Sequence, residues 1–121
     1  MKVISKMIQK NNYKILIVGL GNIGFRYLEG ILKSEIKCSV TLLETSFTNL
    51  NIIKSKLENN KYKKSINYTN NIDDIEGMFD VGIIATPALL RNLLIQKLNS
   101  KVLIENWIIE KVLAQDRKSV V

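Results

Sequence analysis

The chain has no histidine, and Cys38 is the single cysteine among its 121 residues. Without histidine there is no zinc-ligand spacing and no Ser/His or Cys/His nucleophile pair, and one thiol cannot close an intrachain disulfide. Those catalytic classes are excluded. No uncharged apolar run approaches the ~18 residues that a membrane-spanning helix needs, and the N-terminus has no apolar signal-peptide core. The expected address is therefore cytoplasmic, with no membrane partner. Proline occurs once, at Pro87, and no internal repeat or low-complexity linker interrupts the sequence. What is present is 46% apolar and 24% charged, enough to bury one core in one domain.

Eighteen basic residues against eleven acidic ones give a net charge of +7, a balance that raises nucleic acid or an anionic small molecule as partners. The distribution argues against nucleic acid. Lys2, Lys6, Lys10 and Lys14 belong to a short leader, and Lys54, Lys56, Lys61, Lys63 and Lys64 crowd a stretch in which Tyr62 and Tyr68 are the only nearby aromatics. Alternating cations and stacking platforms are too sparse there for a strand-binding surface, whereas a solvated helix end and loop need no more than this. Residues 1–12 read as a basic leader with Ile4, Met7 and Ile8 at helical spacing, in the manner of a frayed terminus.

Strand-like and helix-like runs alternate along the rest of the chain, the pattern of an α/β domain. Tyr13 to Val18 is a short, nearly continuous apolar run rich in β-branched residues, expected to be a central strand covered on both faces. From Asn22 the apolar residues Ile23, Tyr27, Leu28, Ile31 and Leu32 recur three and four apart, predicting a helix. Cys38 to Leu43 reads as the second strand. Thr45, Ser46 and Thr48 are capping types ahead of a helical face of Leu50, Ile53 and Leu57. Ser65 to Tyr68 is expected to be a third strand, and Asn70 to Ile75 a capped helical turn closed by Gly77. Asp80 to Ala85 predicts another buried strand, after which Pro87 opens a helix with a face of Leu90, Leu93, Leu94 and Leu98. Two runs compete for the last strand, Val102 to Ile104 and Trp107 to Ile109. The helical pattern can run on to Val102, which favours the second.

The chemistry is concentrated in Gly19-Leu20-Gly21-Asn22-Ile23-Gly24, a GxGxxG placed directly after the first strand and at the start of the first helix. In that context each glycine has a task. Gly19 permits the tight turn, Gly21 presents no side chain to an approaching pyrophosphate, and Gly24 lets helix and strand pack closely. The helix N-terminus adds free N–H groups and a partial positive charge. Glu44 ends the second strand 20 residues after Gly24, where an acid accepts hydrogen bonds from ribose hydroxyls. Its carboxylate would repel a 2′-phosphate, so NAD is expected over NADP, although Thr45 and Ser46 would allow NADP.

At this point the sequence resembles the N-terminal domain of the Gfo/Idh/MocA oxidoreductases. The residues that carry the resemblance are Lys14 to Gly24, Asp80-Val81-Gly82-Ile83-Ile84-Ala85-Thr86-Pro87, and Ile109-Glu110-Lys111-Val112-Leu113-Ala114. It implies a three-layer, Rossmann-like, doubly wound and mostly parallel sheet. It also implies that Ala85, Thr86 and Pro87 line the cofactor's ribose and nicotinamide, that Glu110 is the strand-end acid, and that Lys111 is catalytic beside nicotinamide and substrate. Such a lysine would help a sugar hydroxyl lose its proton as hydride leaves. A rival alignment puts Glu105-Asn106 at that motif instead. Val112 stands where proline is usual, and Arg91 where many members have histidine.

The resemblance thus implies residues 13–121 as the NAD(P)-binding half of an oxidoreductase acting on a sugar, nucleotide sugar or polyol. The sheet domain that would hold the substrate is absent, so the chain alone is expected to have no turnover. Homo-oligomer formation belongs to the same set of expectations. A free-standing NAD(H)-sensing regulatory module would use Gly19, Gly21, Gly24 and Glu44 alike without needing Lys111. A methyltransferase would also want an acid at the second strand's end, but the Ala-Thr-Pro strand end is foreign to it.

Overall fold

The computed structural model describes residues 12–58, 64–86 and 88–110. Residues 1–11 of the basic leader, Lys61, Tyr62, Lys63, Pro87 and Lys111, all singled out above, lie outside the described residues, as does the side chain of Leu90, while Lys14 belongs to the first strand. Five strands, β1 (Tyr13–Val18), β2 (Cys38–Leu43), β3 (Ser65–Thr69), β4 (Gly77–Ile84) and β5 (Val102–Ile109), form one sheet in the order β3-β2-β1-β4-β5. Every neighbouring pair is parallel. Between the strands run α1 (Asn22–Lys33), α2 (Phe47–Leu57), a 3-10 turn (Ile72–Asp74) and α3 (Ala88–Lys101). The fold is the expected α/β, Rossmann-like, doubly wound sheet.

The strands read as continuous apolar runs because both faces are covered. Ile15 and Ile17 face one core with Leu28 and Ile31 of α1 and Leu50 and Ile53 of α2. Leu16 and Val18 face a second core with Leu98 of α3 and with Ile75, just past the 3-10 turn. Leu16, Ile17, Leu28, Leu42 and Leu98 are fully buried, each contributing about 1.5–3 kcal/mol by leaving water. Ser46 caps α2 by accepting from the Asn49 N–H, and Asn71 caps the 3-10 turn by accepting from the Asp73 N–H. Cys38 is buried at the start of β2, and burial pushes its thiol pKa up against the opposing pull of the Lys64 charge.

The fourth and fifth strands depart from expectation. β4 begins at Gly77 rather than Asp80, and Gly77 opens a strand with φ +94° instead of closing the preceding turn. β5 takes in both competing runs, and α3 stops at Lys101. The reason lies in the faces. Phe79 packs into the α3-side core while Val81 packs on the α1 side, and Ile104 and Trp107 share the α3 side. Alternation therefore breaks near Asp80 and again at Glu105-Asn106, where the β4–β5 ladder skips the Asp80/Glu105 pair, although the same register holds on both sides, from Gly77 opposite Val102 to Ile84 opposite Ile109. A period-two reading sees two fragments where the backbone makes one strand. Gly82 lies beneath this packing, since a Cβ there would sit 2.9 Å from the Trp107 ring and 3.0 Å from Ile104.

Among the described residues no helix is long and apolar enough to cross a membrane.

Candidate functional site

The sheet order places β1 between β2 and β4, so the connections leave the C-terminal ends of β1 and β4 in opposite directions and open a crevice there. The glycine loop forms its floor. Gly19 has φ +90°, and a Cβ on it would meet Thr86 at 2.8 Å and the Ala85 carbonyl oxygen at 3.0 Å. Gly24 is more constrained, because a Cβ would lie 1.9 Å from the Gly19 carbonyl oxygen. Both glycines are required by the fold itself. Gly21 differs, for a Cβ there would meet nothing within 4 Å. It is the N-cap of α1, no side chain caps it, and the first turn carries no acid. Space and helix-terminal N–H groups are thus presented together at Gly21, with exposed Asn22 and half-buried Ile23 beside it.

Glu44 follows β2 and is buried. Its Oε1 accepts from the Leu20 N–H and its Oε2 from the Ser46 N–H, each at 2.8 Å. The carboxylate is therefore a brace between the glycine loop and the start of α2 rather than an exposed strand-end acid. Each of its oxygens keeps a second lone pair for a further donor. Thr45, next to it, is exposed. Across the crevice Ala85 donates its N–H to the Val18 carbonyl at 2.9 Å. Thr86 follows, with a buried hydroxyl oxygen that has no partner.

The structure also separates the two candidate acids of the last strand. Glu105 is exposed in the middle of β5, whereas Glu110 stands at its C-terminal end and donates its N–H to the Ile84 carbonyl at 3.0 Å. Two partners of Glu110 were not foreseen. The Tyr27 hydroxyl donates to its Oε1, and Arg91 donates to its carbonyl oxygen at 3.3 Å. Burial, and then the bond to and charge of Glu110, push the Tyr27 pKa from the usual 10 up to about 12. In the sequence Tyr27 counts as part of an apolar helical face, and only the need of a half-buried hydroxyl for a partner hints at the acid.

Gly19, Leu20, Gly21, Glu44, Ala85, Thr86 and Glu110 all gather at the C-terminal end of the sheet. No family model matches the chain. No curated protein matches it either. Among solved structures it is similar to the mycolic acid cyclopropane synthase CmaA1, solved with SAH and CTAB, with a TM-score of 0.54 and 13% identity over 82% of this chain. The chain spans about a third of that protein's length, 36%. At that identity the likeness bears on the fold.

It also corrects the functional expectation. That structure is complexed with SAH, not NAD or NADP, and so speaks against an NAD(P)-dependent oxidoreductase or an NAD(H)-sensing module. The physical reason is that a glycine turn after β1 and an acid after β2 suit any adenosyl ribose placed at this switch point. They say nothing about what is joined to its 5′ carbon. Pro87 and Lys111, on which the hydride-transfer reading leaned, lie outside the described residues.

Proposed function

We propose that the crevice between the ends of β1 and β4 binds an adenosyl ligand of the S-adenosylmethionine and S-adenosylhomocysteine class. The observation that carries the reading is the buried Glu44 carboxylate, fixed by two backbone N–H groups and still able to accept from a ribose diol. Three further features fit such a molecule. The space at Gly21 admits close approach of its backbone to a ligand. The free N–H groups of α1 suit the carboxylate of the amino-acid portion. The unpartnered Thr86 hydroxyl offers a hydrogen bond on the opposite wall. The fold likeness to a structure solved with SAH points the same way. Binding is the property proposed. Methyl transfer would also need a positioned acceptor.

Titration calorimetry of the chain with SAH tests this. One-site binding is expected, weakened about tenfold or more by Glu44→Gln, which exchanges a charged acceptor for a neutral amide. Absence of SAH binding would overturn the reading, as would NADH binding in its place.

A further inference from the structure

The two edges of the sheet are unlike. β3 alternates polar residues along Ser65-Ile66-Asn67-Tyr68-Thr69, with the Lys64 ammonium beside it, held by the carbonyls of Leu32 and Ser34. β5 is longer and mostly apolar, and among the described residues no strand pairs with its outer side. Leu103 is 57% exposed and Ile109 50%. Its register partner Met78 extends the apolar strip from Leu103 onto β4. A bare parallel edge of this kind invites another strand.

The sequence of β5, Val-Leu-Ile-Glu-Asn-Trp-Ile-Ile, is a palindrome in polarity: three apolar residues, two polar, three apolar. Run antiparallel against itself about a centre between Glu105 and Asn106, it sets Val102 against Ile109, Leu103 against Ile108, Ile104 against Trp107 and Glu105 against Asn106. No like charges are opposed. The faces agree as well. In a twofold pairing that continues one sheet, opposite residues must share a face, and in a regular strand this centre would oppose residues of different faces. The break in alternation at Glu105-Asn106 removes the conflict. Ile104 and Trp107 both pack on the α3 side, and Leu103, alternating with Val102 and Ile104 of that side, falls on the opposite face, where Ile108 packs.

We infer that β5 pairs antiparallel with β5 of a second copy of this chain, joining two five-stranded sheets into one of ten. Sedimentation equilibrium of the full chain across a micromolar range should show a dimer. Leu103→Lys, at a site exposed in the single chain, should give a monomer with unchanged circular dichroism. The register is tested by charge. Asn106→Glu and Asn106→Lys both remove the amide that donates to the Asp80 carbonyl at 3.2 Å, but the first opposes two carboxylates twice per dimer and the second places an ammonium opposite Glu105. Asn106→Glu is expected to dissociate about tenfold more readily than Asn106→Lys. A wild-type monomer at every concentration overturns the inference, whether another segment of the polypeptide or solvent then takes the edge. So does a dimer that survives Leu103→Lys, or one indifferent to the sign of charge at position 106.

Discussion

Two places in this molecule bring backbone closer than a side chain would allow, and they were announced very differently. In the glycine loop between β1 and α1 the approach is dictated by a motif with its own spacing, and Gly19 and Gly24 do what that spacing says. Beside β5 the approach depends on one glycine, Gly82, lying under Trp107 and Ile104, residues 22 or more positions away in sequence. The approach of Gly24 to Gly19 is local and can be read from six consecutive residues, while Gly19 also meets Ala85 and Thr86 across the sheet. The closeness at Gly82 exists only once β4 and β5 are paired.

The sharpest way to break that comparison is at Gly24. Gly24→Ala puts a methyl 1.9 Å from a backbone oxygen that cannot yield, so a loss of about 3 kcal/mol or outright failure to fold is expected in denaturant unfolding. Gly21→Ala in the same motif should cost under about 1 kcal/mol, as an N-cap change into open space. Equal losses at the two positions would mean that the loop's glycines are not divided between architecture and ligand approach. Gly82→Ala should fall between them, at about 1–2 kcal/mol, because its 2.9–3.0 Å neighbours are side-chain atoms that can shift. Unchanged stability there would show that the packing over β4 is looser than described.

The mildest effect concerns the end of β5. Tyr27 has its folded pKa raised from 10 to about 12, so the native state favours the protonated hydroxyl. That contribution is fully present below pH 10 and is lost as pH rises from about 10 to about 12. Unfolding midpoints of the wild type and of Tyr27→Phe, followed through this window, should converge as the wild type loses its advantage. Parallel curves would remove the Tyr27–Glu110 contact from the account.

These contrasts also mark how far the sequence could be read. The bounds of β1 and β2, the start of α1, a cap among Thr45, Ser46 and Thr48, and a capped turn within Asn70 to Ile75 follow from residue type and spacing alone, and the structure picks Ser46 and Asn71 as the caps. β4 and β5 were misread where alternation breaks, near Asp80 and at Glu105-Asn106, because there tertiary packing overrides the period. At the site, the placing of the glycines between β1 and α1 and of Glu44 at the end of β2 was legible, and the ligand was not. Nor did the sequence reveal that both Glu44 oxygens engage backbone N–H groups, since Leu20 is 24 residues away and contributes no side chain to the bond. The Arg91 bond to the Glu110 carbonyl is a backbone contact of the same silent kind.

Placing the first strand in the middle of the sheet has a consequence for the newborn chain. β1 leaves the ribosome before the rest of the sheet, and β2 can join one of its flanks soon afterwards, but the other flank waits for β4, 66 residues later. At roughly 5–20 residues per second that is about 3–13 s in which a mostly apolar strand has one side unprotected. During that interval Ile15 and Ile17 have α1 and α2 for cover, whereas Leu16 and Val18, on the other face, wait for Ile75 and α3. Synthesis slowed between α2 and β4 would lengthen their exposure and favour aggregation over folding, with no change to any residue of the finished protein.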